Sequence, residues 1–437
     1  MHRSRRVLVI VSGWMLAVCG GLAVAHETNV QTLNPYGPVP ADEAAMLDAR
    51  KPITELGRQR SNYLAGSEEL GKDEIRVIAL GSGMPRVQRA QVAACWLIQT
   101  GNGDSFLFDI GSRCTMNMSL LEVPWDTFTK VFVSHLHADH IGDLPALLAD
   151  GWDMGRSIPI EVWGPSGAEP QLGTNAMVEH LMGMYRWDYA SKLGRGAMSS
   201  YTIKVHEFDY SKEQIIYERN GVIIRSWPAV HTIDGAVSYS LEWNGLKVSY
   251  SGDTVPTKWF LKNAKDSDIV IHECSDPIEV LIEDRGFPPE AAWMITSTAH
   301  TQPRLVAEIF KELKPRMAVC YHYVANGIDR SEKLYHAVKP NVPGPFMVAK
   351  DMMVWNLTPD NLTVRTVVGG EYNSKNLPRA QESPDKSKLI EPSEWLDAGR
   401  WEMTEIYQEV LDGLKPEYRA RIMEHVSKEH LPHNSED

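Results

Sequence analysis

The 437-residue sequence predicts a mixed α/β protein of the α+β kind, in which two strand-rich halves each carry helices. Short runs rich in apolar, β-branched residues recur along the chain and end at Gly, Pro or Asn turn signals, which is typical of buried strands. Longer segments with apolar residues at helical spacing lie between these runs. Reactive side chains gather where predicted strands end, and this is the usual place for functional groups on a rigid scaffold.

In the first half, strands are predicted at 75–81, 94–100 and 105–110, and residues 130–134 form a buried strand before a histidine-rich run. A helix at 143–152 and a strand at 158–163 follow. Residues 168–200 are predicted to be helical, because Met177, Leu181, Met184 and Tyr185 recur at helical spacing. Core packing explains that stripe, and a lid over a pocket is the alternative.

The second half returns to strands, with helices at 288–299 and 303–313. Asn244-Gly245 lies between two of these strands and is a strong type I′ hairpin signal. The predicted strands are residues 201–208, 222–228, 237–243, 246–250, 269–272, 317–321, 346–349, 352–357 and 362–367.

The two ends of the chain differ from the middle. Residues 1–25 have the pattern of a secretory signal peptide, with three early arginines, an apolar stretch and the small-residue site Ala23-Val24-Ala25. A membrane anchor is a less favoured alternative, since the apolar run is short and interrupted by glycine. Lipid attachment at Cys19 is also less favoured, because Val18 is larger than the small residue that usually precedes such a cysteine. We therefore expect a secreted or periplasmic protein with cleavage after Ala25 and no stable membrane span afterwards.

The predicted organisation has four parts. The signal peptide is followed by an N-terminal arm at 26–73, a main domain at 74–370, and a polar linker with C-terminal helices at 371–437. The C-terminal helices carry an apolar stripe, which we expect to pack on the main domain; dimerisation or lid contact is the alternative, and a homodimer is compatible with it. The stripe consists of Trp395, Leu396, Trp401, Ile406, Val410 and Leu411.

Charge and cysteine content limit the partners. The net charge is −13, and it becomes −16 once the three arginines of the signal peptide are removed. Strong negative charge repels polyanions, so nucleic acid is disfavoured as the main partner.

An exported protein can form disulfides. Cys95 and Cys114 are the pair we would test, although the sequence does not decide it, whereas Cys274 and Cys320 are predicted to be buried free thiols.

The run from His135 to His140 is the most informative feature of the chain. It places three imidazoles and one carboxylate within six residues directly after a predicted strand. Histidine and carboxylate ligands without cysteine suit Zn²⁺, with Mn²⁺ or Fe²⁺ possible. His135 and His137 can face the same side, while Asp139 and His140 follow the strand and can turn back to a second metal.

Further candidate ligands follow later strands, namely His231, Asp253 and His322. With them the chain resembles the metallo-β-lactamase-fold superfamily over about residues 74–368, and within it the group that contains ribonuclease Z and the zinc arylsulfatases or phosphodiesterases. The resemblance implies a four-layer αββα sandwich, and the helices predicted after residue 371 would form a C-terminal extension of it. It is carried by residues 81–85, 108–111, 134–140, 164–167, 231, 251–254, 272–273 and 322.

The resemblance also implies a role for each site residue. His135, His137 and His231 would bind one Zn²⁺, Asp139, His140 and His322 a second, and Asp253 would bridge them. Asp139 would orient the nucleophile, and His300 would be the general acid with Glu273 as its partner; an unremarkable surface histidine is the alternative for His300. Asp109 would support the metal loop unless it only caps a turn, and His272 is either a site neighbour or a core histidine. Independently of the resemblance, Trp152, Tyr185 and Trp187 are candidates for an aromatic wall that contacts the substrate.

The function expected from these features is an exported binuclear zinc metallo-hydrolase that cleaves a small ester, either a phosphodiester or an arylsulfate, with a metal-bound hydroxide. Ribonuclease Z carries a glycine- and proline-rich exosite for transfer RNA, whereas residues 165–225 here are predicted as helix and strand without a Lys/Arg cluster. A ribonuclease Z-like endonuclease of the tRNA 3′-processing type, or a lactone or carboxylic-ester hydrolase, is the alternative. A non-catalytic binding protein is disfavoured, because all seven expected ligands are present.

Overall fold

The computed structural model describes residues 62–86, 88–196, 198–325, 329–369, 385–401 and 403–425. The predicted signal peptide, most of the arm and most of the linker lie outside these residues. Sixteen strands occur in the described part of the chain. They are β1 (Asn62–Leu64), β2 (Ile75–Gly81), β3 (Cys95–Thr100), β4 (Ser105–Ile110), β5 (Lys130–Phe132), β6 (Ile160–Pro165), β7 (Ile203–Phe208), β8 (Gln214–Arg219), β9 (Val222–Pro228), β10 (Val237–Trp243), β11 (Leu246–Tyr250), β12 (Ile269–Glu273), β13 (Met317–Tyr321), β14 (Phe346–Val348), β15 (Met353–Leu357) and β16 (Leu362–Val368).

These strands form two sheets. One has the order β1-β16-β15-β2-β3-β4-β5-β6-β7, and the other has the order β14-β13-β12-β11-β10-β9-β8. β1, which lies in the predicted arm, extends the edge of the first sheet by pairing with β16. The predicted hairpin is confirmed, because Trp243 pairs with Leu246 across Asn244-Gly245. β8 was missed, because only Tyr217 among its six residues is buried and a register shift between Ile215 and Tyr217 interrupts the two-residue period.

Helices lie on the outer faces of the two sheets and in the C-terminal segment of the chain. Among the described residues they are Cys114–Ser119, Ala138–Ile141, Leu144–Asp153, Thr174–Met184, Arg186–Lys192, Lys258–Asn263, Ile278–Glu283, Pro289–Met294, Pro303–Leu313, Asp329–Val338, Glu394–Asp397, Thr404–Asp412 and Pro416–His425. The helix predicted at 288–299 is α-helical only at its start and continues as the π-helical turn Ile295–Ala299. The helices Ile278–Glu283 and Asp329–Val338 were not predicted.

Three apolar layers hold the elements together. The central layer joins the inner faces of both sheets and includes Trp96, Phe108, Tyr239 and Tyr321. A second layer lies between the first sheet and the helix Leu144–Asp153, and a third lies between the other sheet and the helix Pro303–Leu313. This arrangement is the predicted αββα sandwich, and fully burying side chains of this size contributes roughly 1.5–3 kcal/mol each.

The C-terminal helices do not bury their apolar stripe within the described residues. Trp395 and Trp401 are each 82% exposed, and Leu396, Ile406 and Val410 are exposed as well. The expectation that the stripe packs on the main domain is therefore wrong for these side chains. Where the chain is described, none of its helices combines the length and apolar character needed to cross a bilayer.

The structure contains two disulfides. Cys95 is bonded to Cys114, with 6.1 Å between their Cα atoms, so the pair that the sequence left open is formed. Cys274 is bonded to Cys320, with 5.5 Å between their Cα atoms, and the prediction of two free thiols is wrong. The reason is strand order: β12 and β13 are parallel neighbours, and the Cys274 N–H donates to the carbonyl of Tyr321 at 2.8 Å.

Candidate metal centre

The histidine-rich run is held by Asp109 at the end of β4. Asp109 accepts hydrogen bonds from the backbone N–H of Ser134 at 2.6 Å and from its hydroxyl at 2.7 Å. The Tyr250 hydroxyl also donates to this carboxylate, at 2.6 Å. Asp109 has a φ of 57°, a left-handed conformation that costs a non-glycine residue energy and that clusters at functional sites. The buried carboxylate of Asp109 therefore fixes the start of the histidine-rich run.

The first group of candidate ligands consists of His135, His137 and His231. The Nδ1 atom of His137 lies 3.0 Å from the Nε2 atom of His135 and 3.1 Å from the Nε2 atom of His231. His135 and His231 are buried, whereas His137 is exposed. These three nitrogens and an oxygen of Asp253 all lie within 4.8 Å of one another.

The second group consists of Asp139, His140 and His322. The Nε2 atom of His322 lies 3.0 Å from an Asp139 oxygen and 3.4 Å from the Nε2 atom of His140. Asp253 is shared with the first group, because its Oδ1 atom lies 3.3 Å from His140 and its Oδ2 atom 3.2 Å from His322. All members of this group are buried.

The donor set fits divalent cations. Asp253 Oδ1 and His322 Nδ1 are buried and make no hydrogen bond to a described residue. Buried polar atoms without partners are costly and mark places where an ion can bind. Histidine and aspartate without cysteine favour zinc among the common metals. The structure thus brings together all seven predicted ligands, while their assignment as ligands and the number of ions stay predictions.

The two groups differ in proton affinity. Burial lowers the pKa of all three histidines of the first group, and for His231 the pKa falls to about 4. Burial acts in the same direction on His140, but the carboxylates of Asp253, Asp139 and Asp109 outweigh it and raise the His140 pKa well above its usual value. The first group therefore presents neutral imidazoles, whereas the second retains a proton.

Backbone and carboxylate partners orient the ligand rings. The Nδ1 atom of His231 donates to the carbonyl of Ala299 at 2.7 Å, and that of His140 lies 2.6 Å from Asp109. Such partners fix the tautomer, so that Nε2 remains available to a metal. The Ala299 carbonyl ends the π-helical turn, and π-helical turns occur frequently at functional sites. The sequence contained no signal for it.

His300 and Glu273 form a hydrogen-bonded pair beside the second group. The Nδ1 atom of His300 lies 3.0 Å from Glu273 Oε2 and 3.8 Å from Asp253 Oδ2. Burial alone would lower the pKa of His300, but Glu273 and Asp253 together raise it to about 9. Thr254 holds the other Glu273 oxygen, since its N–H donates to Oε1 at 2.6 Å. His300 is therefore a protonated group next to the candidate metal centre.

The main chain closes tightly around the shared carboxylate. Gly252 precedes Asp253 with a φ of 59°, and a Cβ atom at this position would lie 2.7 Å from the Ser134 Cβ and 2.9 Å from the Val237 carbonyl oxygen. His322 also has a left-handed φ, of 64°, and its N–H donates to the Ser82 carbonyl at 2.8 Å. Glycine is required at 252 because no side chain fits there.

Comparison with known proteins adds to this geometry. A family model described as Anti-Pycsar protein Apyc1 matches residues 75–280. The chain is 27% identical to ribonuclease Z of Methanococcus maripaludis over 248 residues, covering 55% of this chain and 72% of the relative. It is 23% identical to ribonuclease Z of Methanothermobacter thermautotrophicus, covering 64% of this chain and 95% of the relative.

Among solved structures, the metallo-β-lactamase fold protein YhfI from Bacillus subtilis matches with a TM-score of 0.50 at 19% identity, covering 65% of this chain and all of YhfI. The chain is a metallo-β-lactamase-fold hydrolase close to the ribonuclease Z branch. The predicted superfamily and sandwich are thereby confirmed. Of the two predicted functions, the comparisons support the alternative, a ribonuclease Z-like endonuclease, better than a hydrolase of small esters.

The remaining predicted site residues of the hydrolase lie apart from the ligand cluster. Trp152 is buried in the outer layer, where it packs against Tyr201, so it is not part of an open substrate wall. Tyr185 packs against the same layer, and Trp187 is 81% exposed. His272 packs between Phe260 and Phe310, and burial lowers its pKa to about 4, as in a core histidine.

Proposed function

We propose that this hydrolase is a metal-dependent phosphodiesterase that uses a pair of divalent cations, zinc being the first choice. The observation that carries the proposal is Asp253, whose carboxylate is common to both ligand groups and to the group with Glu273 and His300. A hydrolytic centre and a proton donor therefore meet at one side chain. When bound, two such cations lower the pKa of water and neutralise charge on the attacked phosphate.

The chain supplies the remaining chemistry. His322 and His140 lower the pKa of Asp139, which is therefore a carboxylate and can accept a hydrogen bond from the attacking water. His300 is protonated at neutral pH and pairs with Glu273 through Nδ1, so its Nε2–H can donate to the leaving oxygen. As the bond from phosphorus to the leaving oxygen breaks, this proton converts the alkoxide to an alcohol.

RNA is the first substrate to test, because the curated relatives quoted above are ribonuclease Z proteins. A small phosphodiester is the second candidate. The net charge of −13 and the balance of acidic and basic residues over 165–225 favour a substrate smaller than transfer RNA. Export is part of the proposal. Two observations support it: the two disulfides are typical of an oxidising compartment, and residues 1–25 have the pattern of a secretory signal peptide.

The test is hydrolysis by the metal-loaded protein of bis-nitrophenyl phosphate, nitrophenyl sulfate, a lactone and a precursor transfer RNA. We expect turnover of at least one phosphodiester and a loss of about a thousandfold or more in Asp253→Ala, because both ligand groups lose their common oxygen donor. Asp234→Ala removes an exposed carboxylate outside the cluster and should remain fully active. Turnover of only the sulfate or the lactone would refute the phosphodiesterase assignment.

A further inference from the structure

Arg285 follows the helix Ile278–Glu283 and contacts the loop that supports His322. Its Nη1 atom is 3.7 Å from the sulfur of Met84, and Met84 follows Ser82, whose carbonyl accepts the N–H of His322. The same Nη1 atom is 3.5 Å from Asp276, which comes three residues after Glu273 and is close enough to His322 to feel its charge. Two separate contacts thus place this guanidinium beside the second ligand group.

The charge around Arg285 is not balanced by its neighbours. Asp276 is buried and shared with Arg330, whose other nitrogen pairs with Asp284 at 2.7 Å. Burial lowers the pKa of Arg285, and the positive charge of nearby Arg86 lowers it further. Three guanidiniums therefore face two carboxylates, and the region keeps a net positive charge.

The donors of Arg285 are only partly used. Its side chain is 15% exposed, so it is reachable from solvent yet largely desolvated. Nη1 makes the two polar contacts, the guanidinium carbon lies 5.5 Å from the centre of the Phe287 ring, and no hydrogen bond joins Nε or Nη2 to another residue in the described ranges. A guanidinium with a free edge is suited to bidentate binding of a phosphate, and partial burial strengthens that attraction.

We propose that Arg285 binds a second phosphate of the substrate, adjacent to the phosphodiester that is cleaved. This inference rests on the proposed function and narrows its substrate class to nucleotides with at least one additional phosphate. Arg86 and Arg330 add positive charge to the site, and Arg285 makes the contact. The preference for such substrates is expected in KM, since the contact is remote from the breaking bond.

Two chromogenic substrates with the same scissile bond test the proposal. They are thymidine 5′-(p-nitrophenyl phosphate) and the same compound with a 3′-phosphate. In Arg285→Gln we expect the KM of the 3′-phosphorylated compound to rise about tenfold to a hundredfold, with kcat and the other substrate unchanged, because one charge-assisted contact is lost. Arg285→Lys, which keeps the charge, should recover part of the difference.

Arg304→Gln is the matched control, because Arg304 is an exposed arginine on the helix Pro303–Leu313 and outside the cluster. Equal losses on both substrates would show that Arg285 only pairs with Asp276, and unchanged KM on both would show that it binds no phosphate. Calorimetric binding of thymidine 3′,5′-bisphosphate and of thymidine 5′-monophosphate separates this proposal from the phosphodiesterase assignment. Tighter binding of the bisphosphate that disappears in Arg285→Gln supports Arg285 even if neither substrate is hydrolysed, and equal binding refutes it.

Discussion

The two ligand groups share Asp253 but differ in exposure and in protonation. The first group includes the exposed His137, and burial keeps its histidines neutral. The second group is fully buried, and the carboxylates around His140 hold a proton on it. A cation can enter the first group without displacing a proton, whereas it must displace one from the second. Two neighbouring sites built from the same residue types can therefore load under different conditions.

Single replacements should separate the groups. His231→Ala removes a donor from the first group and His140→Ala removes one from the second, so we expect each variant to retain one metal ion per chain after dialysis. Phosphodiester hydrolysis should fall by about a hundredfold or more in both, since each lost cation contributes several kcal/mol. Metal analysis and bis-nitrophenyl phosphate turnover measure these effects.

His206→Ala is the matched control for this pair, because His206 lies on β7 and pairs with Glu161 outside the cluster. It should keep both ions and full activity. If either single-group variant bound two ions, or if both bound none, the division into two groups would be incorrect.

The metal affinities of the two groups should also differ in their pH dependence. His140 has a raised pKa, so below that pKa a proton competes with the cation, and the affinity of the second group should increase with pH through the neutral range. The pKa of His231 is about 4, so the first group has already lost its protons and its affinity should be nearly constant over this range. Competition with a chromogenic chelator in His231→Ala and His140→Ala measures the two slopes, and equal slopes would contradict the comparison.

The smallest expected effect concerns the disulfide behind the second group. Cys274 follows Glu273, and Cys320 lies two residues before His322. Replacing both cysteines by serine should weaken metal binding to the second group a few-fold, leave the first group unchanged, and lower the free energy of unfolding by about 3–4 kcal/mol. The bond closes a separation of 46 residues, compared with 19 for Cys95–Cys114.

The Cys95→Ser/Cys114→Ser variant is the control for that experiment. It should lose a similar amount of stability without a selective effect on the second group. Chelator competition and urea unfolding distinguish the two variants. A uniform loss of metal affinity in both would assign the effect to general loosening of the fold.

The sequence was sufficient for the ligand cluster because each predicted ligand follows a strand. β5, β9, β11 and β13 each end shortly before a ligand, and the sheet order brings these ends together. The sequence was insufficient for features that depend on which elements are neighbours in space. The bond between Cys274 and Cys320 requires β12 and β13 to be adjacent, which no local pattern shows.

Other errors have similar physical causes. Trp152 lies on a helix whose inner face is buried, and the sequence does not tell a core tryptophan from one that lines a pocket. The π-helical turn before His300 could not be predicted, since the apolar pattern of 288–299 is equally compatible with a regular helix. Arg285 carries no motif at all, and only its contacts with Met84 and Asp276 reveal it.

The close approach at Gly252 has a practical consequence for protein engineering. A Cβ atom at this position would collide with Ser134 and the Val237 carbonyl, so even alanine would displace the chain that directly precedes the run from His135 to His140. Laboratory evolution toward new substrates should therefore keep this position constant. Trp293 and Met294 are better positions to vary, because both side chains are exposed and neither belongs to the ligand cluster.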